Sequence, residues 1–107
     1  MYMLLIDGVV KQGKQDEFLK LWSNQILPLL KKQNGFVDEI LLFERGTNNA
    51  ATGLSFWKTQ RDAERYQREV FPQAKINVEP LLNGSPTVRS FDVAASETLH
   101  IVAGKAA

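Results

Sequence analysis

The chain has 107 residues, 44% of them hydrophobic and 23% charged, the size and composition of one ordinary globular domain. Thirteen basic residues against twelve acidic ones leave a formal charge of +1, too balanced for a nucleic-acid or anionic-membrane surface. With no cysteine there is no disulfide framework, no thiolate nucleophile and no cysteine-ligated metal.

Residues 1–10, MYMLLIDGVV, carry no basic n-region, and Asp7 cuts their apolar run far short of a signal peptide or membrane span. The expectation is a cytoplasmic protein with no membrane partner. The same residues predict a first strand that is apolar on both alternating faces (Tyr2, Leu4 and Ile6; Met3, Leu5 and Val9), and so covered on both. Asp7-Gly8 interrupts it, as a bulge or a close approach to the backbone.

A turn at Gly13 leads into a predicted helix over 15–33, with Asp16 and Glu17 in its first turn and Lys31 and Lys32 in its last. Phe18, Leu21, Trp22, Ile26, Leu29 and Leu30 form its apolar stripe. Pro28 should kink it, and Asn34-Gly35 should cap it. Residues 36–45 predict a second strand, 46–49 a hairpin tip and 51–57 a third strand.

Residues 54–82 organise the rest. Leu54 to Trp57 end a buried strand, Thr59-x-x-Asp62 resembles a capping box, and an amphipathic helix follows until Phe71-Pro72 stops or kinks it. A further helical piece over 73–82, a turn at Asn83-Gly84-Ser85-Pro86 and a fourth strand over 87–94 complete the order. The pattern β-α-β-β-α-β is the ferredoxin-like split βαβ, an α+β domain with helices on one face of a four-stranded antiparallel sheet. This domain spans 1–95, and 96–107 is a tail that packs on a partner subunit. The second sheet face is too apolar to stay wet, so two copies should meet sheet to sheet as a barrel-like homodimer.

Trp57-x-Thr59, Asp62-Ala63, Tyr66, Phe71 and Pro80-Leu81-Leu82, with Gly13 and Asn34-Gly35-Phe36, resemble the antibiotic biosynthesis monooxygenase family of dimeric α/β-barrel proteins. The resemblance covers about residues 2–94. It implies a monooxygenase of an aromatic or quinol-like small molecule, acting without metal or organic cofactor. Such chemistry asks for a largely dry pocket, aromatic walls and a few donors for the substrate oxyanion. In members that catalyse it, a Trp at the matching strand end and nearby Asn, Tyr and Arg side chains are implicated. Trp57 carries over, with Tyr66 as a second, and no Asn is placed by motif.

Each candidate has a plainer reading beside the chemical one. Trp57 and Tyr66 either shape the site or pack the core. Asp7 is either a general base with its pKa raised by burial or a carboxylate at a wet sheet edge. Phe71 and Trp22 either line a substrate pocket or fill the interior. Arg65, Arg68 and Arg89 either meet an anionic substrate or belong to solvated faces, the helix arginines paired with Glu64 and Glu69.

Haem-degrading members place an axial His about ten residues beyond an aromatic on the second helix. Counting from Tyr66 reaches Ile76, and the one His of the chain, His100, lies in the tail, so haem degradation is disfavoured. No paired His at metal spacing, phosphate loop, G-x-G-x-x-G or G-x-S-x-G is present. The alternative function is a non-catalytic dimeric domain that binds a small hydrophobic molecule or a protein. A closed, polar-lined pocket bounded by Trp57 and Tyr66 would favour the enzyme; one filled by Phe18, Trp22 and Phe71 would favour the binding role.

Overall fold

Alternation along the first strand decides the layering. In β1 (Tyr2–Val9), Leu4 is fully buried under helices while Met3, Leu5 and Asp7 project from the other side of the pleat. A computed structural model describes residues 1–46 and 49–95 of the chain. The strands pair in the order β2-β3-β1-β4, all antiparallel, where β2 is Phe36–Phe43, β3 Ala50–Trp57 and β4 Thr87–Asp92. The architecture is the expected α+β ferredoxin-like one. The expected tail, with His100, falls outside the described residues.

The first helix departs from expectation in an instructive way. It runs as α1 (Gln15–Leu21), a π-helical turn (Trp22–Ile26) and α2 (Leu27–Lys31), rather than as an α-helix kinked at Pro28. Proline has no N–H to return to the carbonyl one turn back. The ladder widens just before it instead, with the Leu27 N–H reaching the Trp22 carbonyl. Such a turn re-aims the side chains on it. The helix ends at Lys31 with Lys32 as its cap, short of the expected Asn34-Gly35 cap; Gly35 instead turns the chain into β2 at φ +82°, where a side chain would also run into Asp62.

Thr59 caps α3 (Gln60–Glu69): its Oγ accepts from the Asp62 amide at 3.1 Å and donates to the Asp62 carboxylate at 2.9 Å. Val70 is a one-residue joint before α4 (Phe71–Val78), which begins two residues earlier than expected. Pro72 sits in its first turn, where an absent N–H costs nothing. A 3₁₀ turn, Glu79–Leu81, then leads to a bridge between Leu82 and Val10.

Two apolar clusters hold helices to sheet. One joins Leu4, Leu30, Trp57, Ala63 and Tyr66; the other joins Val10, Phe18, Ala51, Leu81 and Leu82. The opposite sheet face stays open, with Leu42 and Phe91 46% and 39% exposed. No described helix is long and apolar enough to cross a membrane.

Candidate functional site

The gap between the two clusters is written in the central strand. On β3 the helix-facing positions are Ala51, Gly53 and Ser55, and Gly8 of β1 lies directly beside Ala51. Four small residues in a row leave the sheet recessed where large side chains would fill it. Helices roof the recess with Trp22, Ile26 and Leu30, with Tyr66 of α3, and with Phe71, Ala74 and Val78 of α4. The result is a cavity of about 80 Å³.

One carboxyl faces into it. Glu39 takes a helix-facing position of β2, in line with Leu41 and Phe43, and pairs across to Ser55. It is only 6% exposed. Its Oε1 lies over Gly53, 3.0 Å from where a methyl group at that position would stand. Burial pushes its carboxyl well above the usual value and the neighbouring Asp38 charge adds to this, while a hydrogen bond from the Trp22 side chain works against it. The π turn therefore has a local consequence: it carries the aromatic that partners the buried acid.

Tyr66 lines the same cavity and is buried as well. Burial first, and the Glu39 charge second, drive its phenol far above the ordinary value, which keeps it a neutral phenol at ordinary pH. Behind it stands Trp57, fully buried, stacked on the Tyr66 ring with centroids 5.1 Å apart. The Trp57 indole N–H donates to Ser55 Oγ at 2.8 Å. That bond leaves the Ser55 hydroxyl its own proton to donate.

The sequence candidates thus separate. Tyr66, Phe71 and Trp22 meet in the cavity. Trp57 supports it from behind, through Tyr66 and Ser55, and is not on its surface. Arg65 pairs with Asp62 at 3.1 Å on α3, away from the lining. Asp7 and Arg89 lie together on the open sheet face, 3.4 Å apart, with the Thr52 hydroxyl donating to Asp7 at 2.7 Å. Among the described residues no arginine or lysine lines the cavity.

Glu39, Ser55 and Gly53 were not among the sequence candidates. The signal for them was present: a Glu at the same parity as the core residues of its strand, opposite A-x-G-x-S. Of the two cavity types set apart from sequence, this one is bounded by Tyr66 but not by Trp57, and Phe18, Trp22 and Phe71 give it the mostly apolar lining of the binding type, with Glu39 as a buried acid among them. Among the described residues no group of three or more His, Cys, Asp or Glu could hold a metal ion. Ile76, the residue reached by the count from Tyr66, is 61% exposed on α4.

No family model matches the sequence, and no curated protein does. Solved structures do match. A variant of SnoaB, a cofactor-independent oxygenase from Streptomyces nogalater, superposes with a TM-score of 0.74 over 90% of this chain and 95% of its own, at 18% identity. A protein named as an antibiotic biosynthesis monooxygenase from Caulobacter crescentus gives 0.73 over 88% and 90%, at 15% identity. Another so named, from Nitrosomonas europaea, gives 0.71 over 89% and 100%, at 14%. The chain has the fold of the antibiotic biosynthesis monooxygenases.

Proposed function

We propose that this chain is a cofactor-independent monooxygenase of an aromatic or quinol-like small molecule, working in the cavity between sheet and helices. The observation that carries the reading is the cavity itself: aromatic walls from Trp22, Tyr66 and Phe71 around a single buried carboxyl. Cofactor-free oxygenation needs a flat, electron-rich substrate held dry beside a proton acceptor and a neutral donor. A deprotonated hydroquinone gives one electron to dioxygen. The radical pair then joins through a new C–O bond at a ring carbon, and the peroxide takes a proton. Cleavage of O–O expels water, the ring hydrogen leaves as a proton, and a carbonyl remains. One oxygen atom stays in the product, the other leaves as water, and the substrate supplies every electron. Tyr66, held neutral, suits the developing oxyanion as a donor.

The working unit in this reading is a homodimer joined through the open sheet faces. Leu42 and Phe91 stand exposed there, beside the outward-facing Met3, Leu5, Leu54 and Phe56. An apolar face of this kind is costly to leave in water.

Oxygen uptake by the metal-stripped protein, with hydroquinones and related phenols, tests the enzyme reading against no-protein controls. Saturable, protein-dependent uptake that falls in a folded Trp57→Phe variant supports it. Uptake at the autoxidation rate across the panel, with saturable ligand binding retained, would assign the cavity to the binding function instead.

A further inference from the structure

We propose that Glu39 is the proton acceptor of this site, and that the cavity selects neutral, single-ring phenols or hydroquinones over fused-ring or anionic aromatics. The inference rests on the oxygenase reading for the reaction but not for the choice of ligand.

Placement comes first. Among the described residues Glu39 is the sole carboxylate on the cavity lining, and its oxygen projects over Gly53 at the cavity floor. A glycine there is what leaves room for the carboxylate to lie over the floor. The Trp22 side chain holds the acid from the helix side, and Ser55 lies directly across the strand pair. Trp22 is accordingly a positioning residue.

Charge comes second. Among the described residues, the one titratable group on the lining apart from Glu39 is Tyr66; α1, α2 and α4 contribute no charged side chain to it, and Asp38 is the charged neighbour on the acid's own strand. Once Glu39 is ionised, a substrate arriving as an anion would meet a carboxylate and, among the described residues of the lining, no cation, in a place where burial magnifies the repulsion. A neutral phenol arrives as a donor to that carboxylate. Burial makes Glu39 a stronger base than an exposed glutamate, which narrows the gap to a phenol near pKa 10 and favours transfer.

Size comes third. About 80 Å³ is roughly half the ~150 Å³ hollow that admits a benzene. One ring therefore already needs some outward give of the roof, and two fused rings need a larger one.

The test combines ligand binding, followed by tryptophan fluorescence, with oxygen uptake on hydroquinone, in wild type and Glu39→Gln. Phenol should bind saturably and benzoate should not. The variant should keep phenol affinity within about threefold while its turnover falls roughly 100-fold or more, because Gln keeps a hydrogen bond but takes no proton. Wild-type turnover should rise with pH as Glu39 ionises, and the variant's should not. Benzoate or 1-naphthol binding as tightly as phenol would overturn the ligand assignment. Wild-type turnover in a folded Glu39→Gln would overturn the base while leaving the oxygenase intact. Absence of turnover in wild type would remove the oxygenase and the base with it, and the binding arm would still decide the ligand class.

Discussion

Glu39 reaches so closely over its diagonal neighbour Gly53 on β3 that a methyl group on residue 53 would stand 3.0 Å from the Glu39 carboxylate. Gly53 does not occupy the left-handed region, so alanine could adopt its backbone. Gly53→Ala should therefore fold, with an unfolded-state gain of about 0.4–1 kcal/mol offset by the tight contact. The side chain it displaces is the acid. Oxygen uptake should drop at least about tenfold with thermal stability nearly unchanged. Unaltered turnover would mean that the position of Glu39 does not matter.

Glu39 should also leave a mark on stability against pH. Its folded pKa is raised, so the folded chain holds the proton after the unfolded chain has lost it. Its contribution is fully present below the unfolded value of about 4.5, and declines as pH rises towards and through the folded value. Glu39→Gln removes that loss. Denaturation from pH 4 to 9 should show the variant gaining on wild type as pH rises, then holding a constant lead. A lead that shrinks with pH would give the carboxyl a depressed pKa and contradict its environment.

Trp57 acts from behind the cavity. Trp57→Ala should cost on the order of 3–5 kcal/mol, as expected for an emptied aromatic core position. Trp57→Phe keeps most of the packing but leaves Ser55 without the indole donor, at roughly 1–3 kcal/mol. Chemical denaturation measures both. A Trp57→Phe variant as stable as wild type would remove Ser55 from the account.

The legible part of this fold was the part governed by period and punctuation. Leu4 and Trp57 fall where alternation puts them, and Thr59 and Asp62 mark the helix start their chemistry dictates, whereas the first helix stops at Lys31, short of Gly35. The π turn was not legible, because Pro28 announces only a missing N–H, not which carbonyl the neighbouring amides will choose. The site was half legible. Tyr66 and Phe71 follow from the helix phase. Glu39 escaped because it sits in the run Asp38-Glu39, which reads as a polar strand end unless the parity of Leu41 and Phe43 is carried back to it. Asp7 drew attention by breaking an apolar strand, yet its parity is that of Met3 and Leu5, which sends it to the open face with Thr52 and Arg89.

That open face carries its own prediction. Leu42→Lys with Phe91→Asp alters two exposed side chains, so each change should cost the isolated fold less than about 0.5 kcal/mol. Light scattering at micromolar concentration should give a dimer for wild type and half that mass for the double variant. A wild-type monomer would dismiss the sheet-to-sheet assembly.

The most direct test of the central claim is turnover of a single-ring hydroquinone by metal-stripped protein under isotopically labelled dioxygen. The account predicts one labelled atom in the quinone product and the other in water, at a rate that saturates with substrate and scales with protein. Product oxygen drawn from solvent, or formation no faster than autoxidation, would contradict it.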